Sequence, residues 1–142
     1  MKTMKGIHHT FKLKDDNIDE PENYLGATLE NMIFLDGSEF WSVSSAKYVN
    51  SAVQNVKEIL EKSDKRLTGR CVAPLRSGYW LETNDSAALK AYGLHYYKEL
   101  IGVLRWIVEL GRVKILLEMS FMSAHLALPC IGHLEQVIHM FG

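Results

Sequence analysis

Asp36-Gly37 constrains this chain more than any other dipeptide. It lies between two runs with strand character, Tyr24 to Leu35 and Glu39 to Val43. Asp-Gly between such runs predicts a hairpin closed by a two-residue type I′ turn, because Gly accepts positive φ and Asp tolerates it. Gly26 falls inside the first strand of that reading, where glycine weakens pairing. Two explanations stay open: a bulge that packs the hairpin, or a backbone that has to pass close to the strand. Ser44-Ser45 follow at once and supply capping hydroxyls for a helix.

Beyond the cap the apolar spacing changes from strand to helix. Tyr48, Val49, Ala52, Val53, Val56, Ile59 and Leu60 form one stripe over Ala46 to Glu61. A short helix is expected from the Asp85-Ser86 cap through Lys90, closing near Gly93. A second long helix is expected over Tyr96 to Leu110, with Gly102 in its middle allowing a close helix crossing. Gly111-Arg112 interrupts the pattern. A third helix is expected over Val113 to Leu128, ended by Pro129, and a fourth from Gly132 to Phe141. With 142 residues, 47% of them hydrophobic, one core is affordable. The fold class is α+β and helix-dominant: an N-terminal β-hairpin unit (about 11–43) followed by four or five packed helices (44–142). The chain stops in mid-pattern at Phe141-Gly142, and a piece of something longer is expected.

Charge gives little direction overall, since the formal net charge is -1. A local excess stands out: Lys62, Lys65, Arg66, Arg70 and Arg76 face only Asp64 before Ser77. Such a cluster gains affinity for phosphates by releasing counterions. Taken alone it reads first as a solvated loop held down by Val72, Leu75 and Trp80. Phe11-Lys12-Leu13-Lys14 has the alternation of a short edge strand, and 15–22 is an acidic linker ending beside Pro21. Cys71 and Cys130 are the only cysteines, and without a C-x-x-C spacing or a secretory signal they read as free thiols. That absence, and the lack of an apolar run long enough for a bilayer, point to an intracellular protein with no membrane partner. The six histidines show no i, i+4 pair and no H-E-x-x-H, and no nucleophile or phosphate-loop motif is present. From chemistry alone there is no active site.

Taken in order, several segments resemble the end of the palm and the following helices in copia-type retrotransposon reverse transcriptases. They are Phe11-Lys12-Leu13-Lys14, Tyr24-Leu25-Gly26-Ala27-Thr28-Leu29-Glu30, Lys47-Tyr48-Val49 and Cys71-Val72-Ala73-Pro74-Leu75. The fullest is Tyr97-Lys98-Glu99-Leu100-Ile101-Gly102-Val103-Leu104-Arg105-Trp106, similar to the family's Tyr-x-x-Leu-Ile-Gly-x-Leu segment. Gly111-Arg112-Val113-Lys114-Ile115 and Gly132-His133-Leu134-Glu135-Gln136-Val137 follow in place. Lys114 departs from the family, which has an acidic residue suited to a helix start.

The resemblance implies a partial reverse transcriptase domain of a Pol polyprotein, 1–142, lying before the RNase H part. Tyr24, Leu25 and Gly26 would belong to the primer grip. Lys57, Lys62, Lys65 and Arg66 would touch phosphates and position a primer–template, an RNA–DNA or DNA duplex, without reading its sequence. The other partners implied are the palm and RNase H parts of the same polyprotein. The full enzyme would use Mg held by palm aspartates in a Tyr-x-Asp-Asp turn. No such turn occurs in this sequence, so no cofactor and no polymerisation are expected of the chain alone. A degenerate retroelement remnant, or a helical protein-interaction module without nucleic-acid binding, is the alternative.

Overall fold

The computed structural model describes residues 22–67, 69, 71–80 and 84–142. The expected edge strand at Phe11–Lys14, the acidic linker up to Pro21, and Arg70 lie outside these. The chain divides into two compact units, Met1–Val43 and Ser44–Gly142.

The first unit carries a sheet of order β1-β2-β3, with β1 Asn23–Tyr24, β2 Ala27–Ile33 and β3 Glu39–Ser44. β1 and β2 are antiparallel and pair Asn23 with Thr28 and Tyr24 with Ala27. Leu25 and Gly26 are therefore the two loop residues of a hairpin, at φ 49° and 87°. Two successive positive φ values make the type I′ geometry, whose twist matches the flanking strands. This corrects the expectation of Gly26 within a strand. The turn itself requires the glycine, and neither a bulge nor a passing backbone is needed to explain it.

The Asp36-Gly37 turn also differs from expectation. Gly37 N–H donates to Phe34 O (2.9 Å) and Phe34 N–H to Ser38 O (2.9 Å). Only Gly37 has positive φ there, at 81°. The loop has three residues, a turn followed by a left-handed glycine, the usual alternative to type I′. Asp36 explains the choice: its Oδ1 accepts from Ser38 N–H (2.9 Å) and Ser38 Oγ (2.7 Å), an arrangement that shapes the backbone through the side chain. The two bonds also hold its carboxyl below the usual range. Across the loop the Phe34 and Phe40 rings stack with centroids 4.2 Å apart.

The second unit holds four helices: α1 Ala46–Glu61, α2 Ala91–Glu109, α3 Leu116–Ser123 and α4 Ile131–His139. α1 has the bounds its stripe predicts, with Val56 and Leu60 buried. Ser45 holds the N-cap position without a side-chain cap bond, and the preceding Ser44 Oγ accepts from Ala46 N–H at 3.4 Å. α2 packs against each of the other helices and buries Tyr96, Tyr97, Leu100, Ile101, Leu104, Ile107 and Val108. It ends in a paired closure, Gly111 N–H to Val108 O and Arg112 N–H to Ile107 O, with Gly111 at φ 107°; this is the Schellman pattern that left-handed glycine permits. Inside the core, Tyr97 Oη donates to Met122 O at 2.6 Å.

Two expected helices are corrected by one feature. Ala88 bridges Cys130 in antiparallel fashion, with Leu89 N–H donating to Pro129 O (3.0 Å) and Ile131 N–H to Ala87 O (2.9 Å). That bridge needs extended backbone on both sides. It removes the short helix expected at 85–90, and α2 instead begins at Ala91 and runs through Gly93. It also prevents a helix reaching Leu128. A 3-10 turn at Val113–Ile115 leads into α3, which stops at Ser123 in i→i+3 turns, His125 N–H to Met122 O and Leu126 N–H to Ser123 O.

Candidate functional site

The basic loop begins where α1 ends. Lys65 N–H donates to Leu60 O (2.9 Å) and Asp64 N–H to Glu61 O (3.0 Å), with Asp64 at φ 53°. This is the same closure as at Gly111, made with an aspartate, one of the few side chains that tolerate left-handed backbone. It reverses the chain and leaves Lys62, Lys65 and Arg66 exposed around the helix end. Cations there also complement the negative end of the helix dipole.

The loop that follows is anchored differently from the sequence reading. Val72 and Trp80 are exposed, at 103% and 74%, whereas Leu67, Leu75 and Tyr79 pack on the core. Cys71 Sγ lies 3.4 Å from His139 Nδ1, tying the loop to α4. Arg76 is thereby carried to the same cleft as Lys62, Lys65 and Arg66, a space of about 540 Å³. No ion pair involves these four cations among the described residues; the pair found there is Arg105–Glu109 at 3.4 Å.

The facing walls come from α2 and α4. Tyr92, Gly93 and Tyr96 line the cleft from the start of α2, and Ile131, Leu134 and Glu135 from α4. The Ala88–Cys130 bridge holds the two helix starts side by side. At the α4 start, Cys130 N–H donates to His133 Nδ1 at 3.1 Å, so His133 takes the place at the third helical position that Glu or Gln holds in a capping box. Tyr92 is 77% exposed and Tyr96 only 7%. Burial, with a smaller contribution from Glu99, pushes the Tyr96 phenol up to about 12, so it stays protonated at neutral pH. Its hydroxyl has no hydrogen-bond partner. Among the described residues the cleft is thus lined by four cations together with aromatic and aliphatic side chains, and Glu135 is the one acid.

Of the residues singled out from sequence, Lys62, Lys65 and Arg66 come together. Lys57 is exposed on α1 and does not line the cleft. Tyr24, Leu25 and Gly26 form the first hairpin turn in the other unit, with Tyr24 65% and Leu25 60% exposed. Arg76 was visible as part of the basic excess. Tyr92 and Tyr96 carried no signal beyond core spacing. The thiols are free. Among the described residues no three His, Cys, Asp or Glu side chains lie together so as to hold a metal ion, so no donor set for Mg is found in them. No described helix is long and apolar enough to cross a membrane. Comparison with protein-family models, with curated proteins and with solved structures finds no match to this chain.

Proposed function

We propose that the chain is the primer-grip and thumb-to-connection portion of a copia-type reverse transcriptase, and that it holds a primer–template duplex through phosphate contacts. The observation that carries this reading is the convergence of Lys62, Lys65 and Arg66 with Arg76 on one cleft, without ion-pair partners among the described residues. Four such cations in one place suit a polyanion. In the complete enzyme, Mg held by the palm would perform the chemistry, and this part would keep the primer in register with it. Lys57 is left as an outlying phosphate contact, and Tyr24-Leu25-Gly26 as a separate turn toward the primer.

The test is binding of the folded chain to a short RNA–DNA hybrid across a salt series. Five phosphate contacts, Lys57 included, predict a log–log slope of about -4.5, at ~0.9 per contact. Replacing Lys62, Lys65 and Arg66 together by Ala should reduce that slope to about -1.8. A folded chain that fails to bind hybrid at low salt overturns the reading. It would then favour a helical protein-interaction module, a reading that exposed Leu116, Leu117 and Phe121 on or beside α3 support.

A further inference from the structure

A duplex backbone is convex and needs only a charged surface, yet the four cations border a hollow. From this we infer that the cleft takes one unpaired nucleotide of a strand, its phosphate on the Lys62–Lys65–Arg66–Arg76 rim and its base against Tyr92 and the α4 wall. The inference rests on the reading of those cations as phosphate contacts and adds the ligand's shape and chemistry.

Three observations support a nucleotide. The volume, about 540 Å³, lies within the range of small-ligand sites. Tyr92 offers a largely exposed ring at the cleft, and stacking on such rings is how proteins hold unpaired bases irrespective of sequence. The lining also offers a group that suits a base edge. Glu135 accepts from an exocyclic amine or imino N–H. Glu135 also opposes a second phosphate on its side, which orients the ligand.

The experiment uses the full chain and three probes: a blunt RNA–DNA hybrid, the same hybrid with a three-nucleotide DNA overhang, and dCMP alone. The overhang should raise affinity at least about fivefold, the lower end of what one stacked base supplies. dCMP should shift the ring resonances of Tyr92. Tyr92→Ala, at an exposed position that folding does not need, should bring overhang affinity down toward the blunt value. Equal affinity for blunt and overhanging hybrid, with Tyr92 unmoved by dCMP, overturns the inference while leaving the duplex reading intact. Absence of blunt-hybrid binding with Tyr92 still shifted by dCMP does the reverse. If neither hybrid nor dCMP binds the folded chain, both fall.

Discussion

At the scale of single residues, backbone geometry accounts for Gly26 without any ligand. Its φ of 87° is a region where an L side chain is strained by roughly 1 kcal/mol. Gly26→Ala should therefore loosen the first hairpin. Exchange of the Leu29 amide, which donates to Glu22 O at 2.8 Å, should accelerate about fivefold, and Gly26→Asn should lose less because Asn enters this region more readily. Unaltered exchange in Gly26→Ala would mean that the turn is not held in this form. Tyr96 carries a pH dependence. Its folded value is raised from 10.0 to about 12, first by burial and then by Glu99 and Tyr92. Below about pH 10 both folded and unfolded chains keep the proton and stability is unaffected. As pH rises from about 10 to about 12 the unfolded chain loses its proton first, so stability falls. Tyr97, raised in the same direction by its deeper burial, adds to the fall. Urea midpoints at pH 9, 10 and 11 measure this, and Tyr96→Phe should flatten the decline; an equal decline in that variant would assign it elsewhere.

At the scale of elements, the helices divide by what determines their ends. α1 was legible to the residue because its stripe is continuous and its ends are local, a serine hydroxyl and a turn at Asp64. α3 and the start of α2 were not, because the Ala88–Cys130 bridge joins residues 42 positions apart, and periodicity within either segment carries no trace of it. Positive φ at Leu25 was hidden for a related reason: register, not composition, decides which residues become the loop. The same split applies to the cleft. Lys62, Lys65 and Arg66 stood out as neighbours in sequence, while Tyr92 and Tyr96 join them only through the fold. Gly102 is a correction at this scale. A Cβ there would meet nothing within 4 Å, so no close helix crossing depends on it. Gly102→Ala should then gain helix propensity without a steric cost, about 1 kcal/mol. A rise of a few degrees in melting temperature is expected, and a fall would reveal a contact that only glycine allows.

At the scale of the whole molecule, the burial seen among the described residues is concentrated in one unit. The core cluster and the apolar residues packed on it lie between Tyr48 and Phe141. Among the described residues of the first unit, Ala27 is the one buried hydrophobic side chain, while Met32, Ile33, Phe34, Leu35, Trp41 and Val43 are 46–110% exposed or close to it. Apolar side chains in water contribute nothing to stability, whereas each one fully buried contributes about 1.5–3 kcal/mol. The free energy of folding should therefore reside in the helices. A chain consisting of 44–142 alone is expected to melt cooperatively, followed by circular dichroism at 222 nm, and to keep the Tyr97–Met122 hydrogen bond, read as slow exchange of the Tyr97 hydroxyl proton. The candidate cleft is built wholly from this unit, so the shortened chain should also retain the dCMP-induced shift of Tyr92 if the full chain shows it. A broad, non-cooperative loss of helix would instead mean that residues before Ser44 supply part of the core.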